Sequence, residues 1–421
     1  MIQRGLLSDL FVGVGVKKLA AVDADPLSSN QHEVTGSKPL LQILGDQDRT
    51  FPSGGTDHRF AATYIWLGGE QEAIAEEGRL SWYDSRRNDP TRSAEWRLYY
   101  QSNSITQAMR PGDFLFVARR QNDHLLFIIV PAESTVFSQL LWLFGLEEQP
   151  QIQFSVRDIS DRHTNELDFA ARYILDEIGI ELEETETDRL DNLLGQFGNK
   201  FPTTKVFSEL ARSSVTHVDP KGDADAALMA WIEQEELLFR RLERRIVDER
   251  LRSGFLEDDI ADVDGFLSFS LSVQNRRKSR AGQSLENHLE TVFTANGIRF
   301  QRGVETESRN KPDFLFPGQP EYRDMAFPAE KLTMLGAKST LKDRWRQVLN
   351  EAVRIKSKHL ITLEPGISQN QTDQMQVSSL QLVIPERLHK TFQPAQQKWL
   401  LTVKDFLRLV VGRQSTKNNS E

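Results

Sequence analysis

From about residue 260 onward, short apolar runs alternate with amphipathic segments. A helical pattern through SLENHLETVFTANG ends near Gly297, and strand-like runs follow in PDFLFP and LTMLGAK. We predict a helix from about 341 to 357, strands in HLITLE and LQLVIP, and a closing helix in KWLLTVKDFLRLVVG. Strands that alternate with helices are typical of layered mixed structures, so this part of the chain is predicted to be an α/β domain.

The first 150 residues have a different pattern. Short β-rich runs are separated by turn residues, and the clearest are RFAATYIWL, EWRLYYQS, DFLFVARR and HLLFIIVP. This pattern predicts an all-β or barrel-like module.

Residues 151–198 are acidic and helix-like, which predicts a connecting segment between two domains. The next part has apolar residues at helical spacing, which predicts one long helix, or two, packed on the C-terminal domain. These apolar residues are Leu228, Trp231, Ile232, Leu237, Leu238, Leu242 and Ile246. The predicted domains are therefore 1–150, 151–198 and 199–421.

Cysteine is absent from the 421 residues, which excludes disulfides and thiolate metal sites and suits a reducing compartment. The apolar stretch at the N-terminus is short and interrupted by Asp9, without a clear cleavage signal. No run approaches the roughly 20 apolar residues that span a bilayer. We therefore expect a soluble cytoplasmic protein.

The net charge of −9 is unevenly distributed. Residues 1–150 carry −5, residues 151–270 carry −13, and residues 271–421 carry +9. A basic third in an acidic protein indicates a polyanionic partner for that third, although chance clustering of solvated charge gives the same numbers.

The segment LGAKSTLKDRWRQVLNEA, residues 335–352, places Lys338 at the end of an apolar run and Glu351 thirteen residues later. A lysine and carboxylates are the parts of a metal-dependent phosphodiesterase, because Mg²⁺ takes oxygen ligands and an ammonium can stabilise a phosphorane. Asp313, after Pro312, is the other candidate carboxylate. In the commonest nuclease pattern an acid stands two residues before the lysine, where this chain has Gly336.

On the predicted helix, Glu351 lies within about 20° of Arg344 and about two turns further along. Glu351 could therefore fill the space of an acid at 336. Each residue also has a structural interpretation. Asp313 could merely start a strand, Glu351 could be a solvated residue paired with Arg354 or Lys356, and Asp343 could cap the helix.

A basic cluster, Arg276, Arg277, Lys278 and Arg280, precedes the helix that carries Glu286 and Glu290. The cluster would suit contacts with DNA phosphates, or it could be a solvated linker. The two glutamates are a polar helix face or, alternatively, one of them faces a metal ion.

NRRKSRAGQSLENHLETVF, KPDFLFPG and LGAKSTLKDRWRQVLNEA, continued by HLITLEPG and LVIPERLHK, resemble the catalytic domain of EcoRII-type restriction endonucleases. The resemblance covers roughly residues 200–421. That family belongs to the PD-(D/E)XK nucleases, in a branch whose second acid has moved onto the following helix. It implies a restriction-endonuclease-like α/β domain with a mixed central sheet.

The resemblance also implies roles for individual residues. Asp313 and Glu351 would bind Mg²⁺, with Glu286 or Glu290 as a further acid, and Lys338 would be the catalytic lysine. Tyr322 matches a tyrosine near the family's active site. Lys342, Asp343 and Arg344 match the segment that reads CC:GG steps, and arginine and aspartate suit guanine and cytosine respectively.

The N-terminal third is similar to the B3-like barrel that such enzymes carry as an effector domain, in VKKLAAVDADPLSSNQHE and WYDSRRNDPTRSAEWR. The resemblance implies DNA contacts from six residues in these two arms, although this chain has Trp96 where the family shows a run of basic residues. They are Lys17, Lys18, His32, Arg92, Glu95 and Arg97.

The implied function is that of a homodimeric type II restriction endonuclease. It would cut double-stranded CCWGG or CCNGG sites ahead of the first C with Mg²⁺, leaving 5′-phosphate and 3′-hydroxyl ends. Its N-terminal domain would bind a second site, and a cytosine methyltransferase would be its genetic partner. A non-catalytic DNA-binding regulator and a structure-specific repair nuclease are the alternatives.

Overall fold

A computed structural model describes most of the chain. The described residues are 5–24, 32–36, 38–45, 58–68, 73–86, 88–89, 91–146, 152–159, 166–182, 187–257, 260–341 and 344–415. The chain forms two compact units, which we call the N-terminal and the C-terminal unit. The N-terminal unit is Gln3–Glu181 with Pro365–Asn370, and the C-terminal unit is formed mainly by Leu182–Glu364 and Gln371–Glu421.

The N-terminal unit is built on one eight-stranded sheet with the strand order β2-β5-β4-β3-β7-β6-β1-β8. The strands are β1 (Phe11–Lys18), β2 (Glu33–Thr35), β3 (His58–Trp66), β4 (Ile74–Asp84), β5 (Trp96–Tyr100), β6 (Phe114–Arg120), β7 (Leu125–Val130) and β8 (Ser155–Asp158). All neighbouring pairs are antiparallel except β3 and β7, which are parallel. All six residues of β7 are buried, as its unbroken apolar run LLFIIV requires.

Helices also belong to this unit. They are α1 (Ala21–Ala24), α2 (Lys38–Leu44), α3 (Ser104–Ala108), α4 (Thr135–Phe144) and α5 (Phe169–Glu177). The four strands that the sequence indicated are present as β3, β5, β6 and β7, and the region is β-rich as predicted. The segment 151–198 is divided between the units, because β8 pairs with β1 while residues after 181 belong to the C-terminal unit.

The C-terminal unit begins with helices. They are α6 (Thr187–Leu194), α7 (Thr204–Ser214), α8 (Ala224–Ser253) and α9 (Val263–Ala295). The long helix predicted from the apolar spacing is confirmed as α8, which starts where Asp223 accepts a hydrogen bond from Ala226 N. A hairpin of β9 (Leu256–Glu257) and β10 (Ile260–Ala261) connects α8 to α9.

A five-stranded mixed sheet follows, in the order β11-β12-β13-β14-β15. Its strands are β11 (Gln301–Arg302), β12 (Phe314–Phe316), β13 (Thr333–Lys338), β14 (Lys358–Thr362) and β15 (Leu380–Val383). The pairs β11–β12 and β12–β13 are antiparallel, and the pairs β13–β14 and β14–β15 are parallel. The remaining helices are α10 (Gln319–Arg323), α11 (Trp345–Val348), α12 (Gln369–Val377), α13 (Pro394–Gln397) and α14 (Val403–Ser415).

The mixed α/β architecture predicted for the C-terminal half is confirmed. Phe293 of α9 packs edge-on against Phe314 and Phe316 of β12, with ring centroids 5.1 and 5.2 Å apart. Phe406 of α14 packs on Phe316 as well. These aromatic contacts hold α9 and α14 against the sheet, so β12 and β13 form a rigid base for polar groups at their ends. Within the described ranges, no helix is long and apolar enough to cross a membrane.

Candidate active site

Asp313 and Lys338 come together because of the register between β12 and β13. These strands are antiparallel and Phe314 pairs with Leu335, so the residue before β12 lies beside the end of β13. Asp313 Oδ2 accepts hydrogen bonds from Lys338 Nζ and from Ala337 N, each at 2.7 Å. The side chains are 17% and 19% exposed, so solvent and a ligand can reach the pair.

Glu351 reaches the site from a turn, and the helix predicted from 341 to 357 is wrong. Only α11 is helical there, and Glu351 follows it, three residues after Val348. After Val348 the amides of residues 349–351 donate to carbonyls three residues back, and two later amides bind side chains from elsewhere. Val353 N donates to Glu307 Oε2 at 3.3 Å, and Arg354 N donates to the Tyr322 hydroxyl at 3.2 Å.

The turn contains a strained residue. Ala352 is fully buried and has a φ of +45°, in the left-handed region that costs an alanine about 1 kcal/mol. A residue persists in this conformation only when its surroundings fix it.

Burial raises the pKa of the Glu351 carboxyl to about 7, and the negative charge of Asp313 adds to the rise. The charges of Lys338 and Lys358 act in the opposite direction. Glu351, Asp313 and Lys338 therefore lie within electrostatic reach of one another. The predicted pairing of Glu351 with Arg354 is absent, because the Arg354 guanidinium donates to backbone carbonyls such as Asp324 O at 2.7 Å.

A cation fits this set of groups. Glu351 Oε2 is buried and has no hydrogen-bond partner in the described part of the chain, which is unfavourable for a carboxylate oxygen. Two carboxylates are a common protein contribution to a Mg²⁺ site, where water and phosphate supply the other ligands. Among the described residues, no group of three or more His, Cys, Asp or Glu side chains is arranged for a metal ion. Asp313 and Glu351 are the two carboxylates that would hold an ion at this site.

Gly336 allows the short helix α11 to approach β13 closely. A Cβ at 336 would lie 3.0 Å from Val348 Cγ2 and 3.3 Å from Leu360 Cδ1. Both neighbours are buried, so a larger residue would displace them.

Glu286 lies near the pair but has its own partner. Arg302 of β11 donates to Glu286 Oε2 at 2.7 and 2.9 Å and to Glu290 Oε2 at 3.1 Å. Burial raises the pKa of Glu286, the hydrogen bond from Arg302 lowers it, and Asp313 raises it further. The role of Glu286 or Glu290 as a metal ligand stays a prediction.

Tyr322 is 5% exposed, and its hydroxyl donates to Glu307 at 2.5 Å. Burial and the neighbouring Glu307 both raise its pKa. The hydroxyl thus fixes the turn after Glu351, while a catalytic role stays a prediction. Sequence reasoning missed Glu307, Arg302 and Lys358, because an isolated charged residue carries no pattern.

The basic cluster lies inside α9, where the sequence placed it ahead of a helix. Arg280 is 7% exposed, pairs with Glu236 and lies over the Phe239 ring. The prediction that Arg280 contacts DNA phosphate is therefore wrong for this structure, because its guanidinium is buried against internal partners. Arg277 donates to Glu243 at 2.6 Å, while Arg276 and Lys278 are exposed.

Lys342 and Asp343 lie outside the described residues. Arg344 is exposed at the start of α11, where its backbone N–H donates to Leu341 O. The role of these three residues in reading bases stays a prediction.

The predicted effector residues have different environments. Lys17 is 2% exposed and pairs with the equally buried Asp23 at 2.9 Å, so it has no access to DNA here and that prediction is wrong for this structure. Lys18 and Arg92 are exposed. Arg97 is paired with both Glu95 and Glu33.

The ring of His32 contacts that of Tyr100. The indole of Trp96 stacks on that of Trp82, with ring centroids 5.2 Å apart.

Residues 239–407 match the family model described as EcoRII C terminal. The type II restriction enzyme EcoRII of Escherichia coli is 39% identical over 236 residues, which are 56% of this chain and 56% of that enzyme. The type II restriction enzyme SsoII of Shigella sonnei is 27% identical over 202 residues, or 44% of this chain and 65% of that enzyme. The chain thus spans between half and two thirds of these relatives.

Two solved structures are also similar. They are metal-depleted Ecl18kI with uncleaved DNA (TM-score 0.44, 18% identity, 56% of this chain and 88% of that one) and a PspGI–substrate DNA complex (TM-score 0.38, 11% identity, 57% and 94%).

Proposed function

We propose that this chain is a type II restriction endonuclease, because residues 239–407 match the family model described as EcoRII C terminal and the chain is 39% identical to EcoRII over 236 residues. It hydrolyses double-stranded DNA with Mg²⁺ at a short site that contains CC and GG steps, of the CCWGG or CCNGG type. The observation that carries this proposal is the unpartnered, buried Oε2 of Glu351 beside the Asp313–Lys338 pair.

The proposed mechanism divides the work among three side chains. When bound, Mg²⁺ polarises the scissile phosphate and activates a water molecule. Asp313 and Glu351 would hold the ion, and Asp313 orients Lys338 through their 2.7 Å hydrogen bond. The Lys338 ammonium then supplies positive charge next to the phosphate oxygens, where negative charge develops as water attacks. Hydrolysis leaves 5′-phosphate and 3′-hydroxyl ends.

The remaining expectations rest on the resemblance and on the relatives' names. Lys342, Asp343 and Arg344 would read the CC:GG steps, and two copies of the chain would cut the two strands. The N-terminal unit would be a B3-like pseudobarrel that binds a second copy of the site and gates the first. The enzyme would act in the cytoplasm beside a cytosine methyltransferase that protects the same site.

Plasmid cleavage tests the proposal. The purified full-length chain is incubated with unmethylated plasmid, with Mg²⁺ or with EDTA, and the ends are sequenced. We expect cleavage only with Mg²⁺, with every cut at one CC/GG-containing sequence. Asp313→Asn and Glu351→Gln should abolish it, while Asp373→Asn and Lys356→Ala, two exposed substitutions in the same unit, should not.

Each other outcome identifies an alternative. DNA binding without any cleavage would indicate a non-catalytic regulator, and cuts at branched or nicked DNA regardless of sequence would indicate a repair nuclease. For the gating hypothesis, a one-site plasmid is cleaved with and without a short duplex that carries a second site. No acceleration by the duplex would contradict an effector role.

A further inference from the structure

The short loop Thr306–Asn310, which we call the bracket loop, binds the backbone on both sides of Glu351. Asn310 Nδ2 donates to Asn350 O at 2.9 Å, and Glu307 Oε2 accepts from Val353 N at 3.3 Å. These two backbone groups flank Glu351 in the sequence. The loop therefore fixes the chain just before and just after the carboxylate that our proposed function assigns to the metal ion.

The bracket loop is itself held in place. Thr306 N donates to Asn310 O at 2.8 Å, and the Thr306 hydroxyl donates to the same oxygen at 3.1 Å. Glu307 also accepts the hydroxyl of buried Tyr322 at 2.5 and 2.6 Å. Since Tyr322 belongs to α10, the loop is tied to a second rigid element.

The turn after Glu351 needs such support from outside. Beyond Val348 the helix stops, and Ala352 has a left-handed φ that an alanine rarely adopts. Lys358 holds the other end of the turn, because its ammonium donates to Ile355 O at 2.8 Å. Without the bracket loop, the stretch from 350 to 353 would lose both hydrogen bonds that hold it from outside, and Glu351 would sample other orientations.

We propose that Glu307 and Asn310 are positioning residues that hold Glu351 in the orientation that binds the metal ion. This inference rests on the proposed function. Neither residue touches the reacting groups. Their contribution is to keep the carboxylate of Glu351 preorganised next to Asp313, which matters because misplacing a ligand weakens a metal site that has only two protein carboxylates.

The test compares Glu307→Ala, Asn310→Ala and the double variant with the wild-type chain. Glu305→Gln is the matched control, because it removes a negative charge from the exposed residue that directly precedes the bracket loop. Glu307→Gln is the conservative variant, since its amide oxygen can still accept from Val353 N. Initial rates are measured against Mg²⁺ and against DNA concentration. Hydrogen exchange of residues 345–356 is followed by mass spectrometry.

We expect the double variant to need about 10-fold more Mg²⁺ for half-maximal rate, with the KM for DNA changed less than 2-fold. Exchange in 345–356 should accelerate in the double variant and stay unchanged in Glu305→Gln, and Glu307→Gln should recover much of the loss. If exchange in 345–356 is unchanged in the double variant, the bracket loop does not hold the turn around Glu351. If exchange is faster but the Mg²⁺ requirement is unchanged, Glu307 and Asn310 are not positioning residues for the metal ion. A wild-type chain that cuts no DNA would instead overturn the proposed function, and the exchange experiment would still test the bracket.

Discussion

Two lysine–aspartate pairs, one in each unit, have similar geometry and different surroundings. Lys17 and Asp23 are 2.9 Å apart and at most 2% exposed, while Lys338 and Asp313 are 2.7 Å apart and almost a fifth exposed. The resemblance assigned both lysines to DNA. Solvent access separates them, because a reachable ammonium can turn to a phosphate, whereas moving Lys17 would leave a buried carboxylate unpaired.

The neighbours of the two aspartates sharpen this difference. Asp23 is enclosed by further structural contacts, since it accepts hydrogen bonds from Ala20 N and Thr35 N. Asp313 instead lies near a second carboxylate, Glu351, whose pKa it helps to raise. A pair beside a second carboxyl group is suited to bind a cation, and a pair enclosed by backbone donors is suited to hold strands together.

The largest expected effect is on catalysis. Lys338→Met keeps an apolar chain of similar length and should reduce the initial rate of plasmid cleavage about 1,000-fold, because charge stabilisation in the transition state is lost. Fluorescence anisotropy with a cognate duplex in Ca²⁺ should show DNA binding within a few fold of wild type. A rate above a tenth of the wild-type rate would show that Lys338 has no major catalytic role, and the proposed functional difference from Lys17 would be lost.

The next largest effect concerns stability. Lys17→Met leaves Asp23 buried without its cation and should lower the free energy of unfolding of the N-terminal unit by about 3 kcal/mol, measured by calorimetry of the full chain. Adding Asp23→Asn, which retains an acceptor for the backbone amides, should recover most of the loss. A Lys17→Met variant that is fully stable but no longer binds effector DNA would restore the original prediction for Lys17.

His359 is another buried basic group, and among the described residues it has no acidic partner. It is 2% exposed in β14, and burial, assisted by the charge of Arg413, lowers its pKa from 6.5 to about 4. The unfolded chain therefore takes up a proton at a higher pH than the folded chain. The stability due to neutral His359 is complete above about pH 6.5 and decreases as the pH falls toward 4.

By pH 5 this group alone should reduce the free energy of unfolding by about 2 kcal/mol. Urea unfolding at pH 7 and pH 5 measures the loss, and His359→Gln should remove that part of the pH dependence. An identical pH dependence in His359→Gln would show that other groups cause it.

The smallest effect is expected at an exposed pair. Arg408 and Asp405 on α14 are 3.4 Å apart, with side chains 68% and 40% exposed. Arg408→Ala should change the free energy of unfolding by less than about 0.5 kcal/mol, because water screens such a pair. A loss above 1 kcal/mol in urea unfolding would show that burial does not determine how much each ion pair contributes to the free energy of unfolding.

The sequence predicted the sheet elements well and the environments of individual charges less well. The apolar runs that became β12, β13, β14 and β15 had to be strands, since their length and flanking turns fit little else. The helical pattern at 341–357 had the right apolar spacing, yet Glu307 and Tyr322 bind the amides that would have continued it. Hydrogen bonds to residues so distant in sequence leave no signal in the local sequence pattern.

The same limit applies to the charged residues. Arg280 was predicted to contact DNA because it lies in a basic cluster, and Lys17 because of the resemblance to an effector domain. The structure buries Arg280 against Glu236 and Lys17 against Asp23. Residue chemistry suggested Asp313, Lys338 and Glu351 as one site but left a structural interpretation open for each, and the resemblance assigned their roles, because residues as far apart in sequence as positions 313 and 351 carry no local signal of proximity. Their catalytic roles stay predictions.

The close contact between Gly336 and Val348 means that moving the second acid from position 351 to position 336 requires changes at two positions. Because Val348 occupies the space above this glycine, an isolated Gly336→Glu exchange would push α11 outward and carry Glu351 with it. A related chain with the acid at position 336 would therefore also need a smaller residue at position 348. We therefore expect lineages to keep one arrangement or the other, and chains that hold both acids at once to be rare.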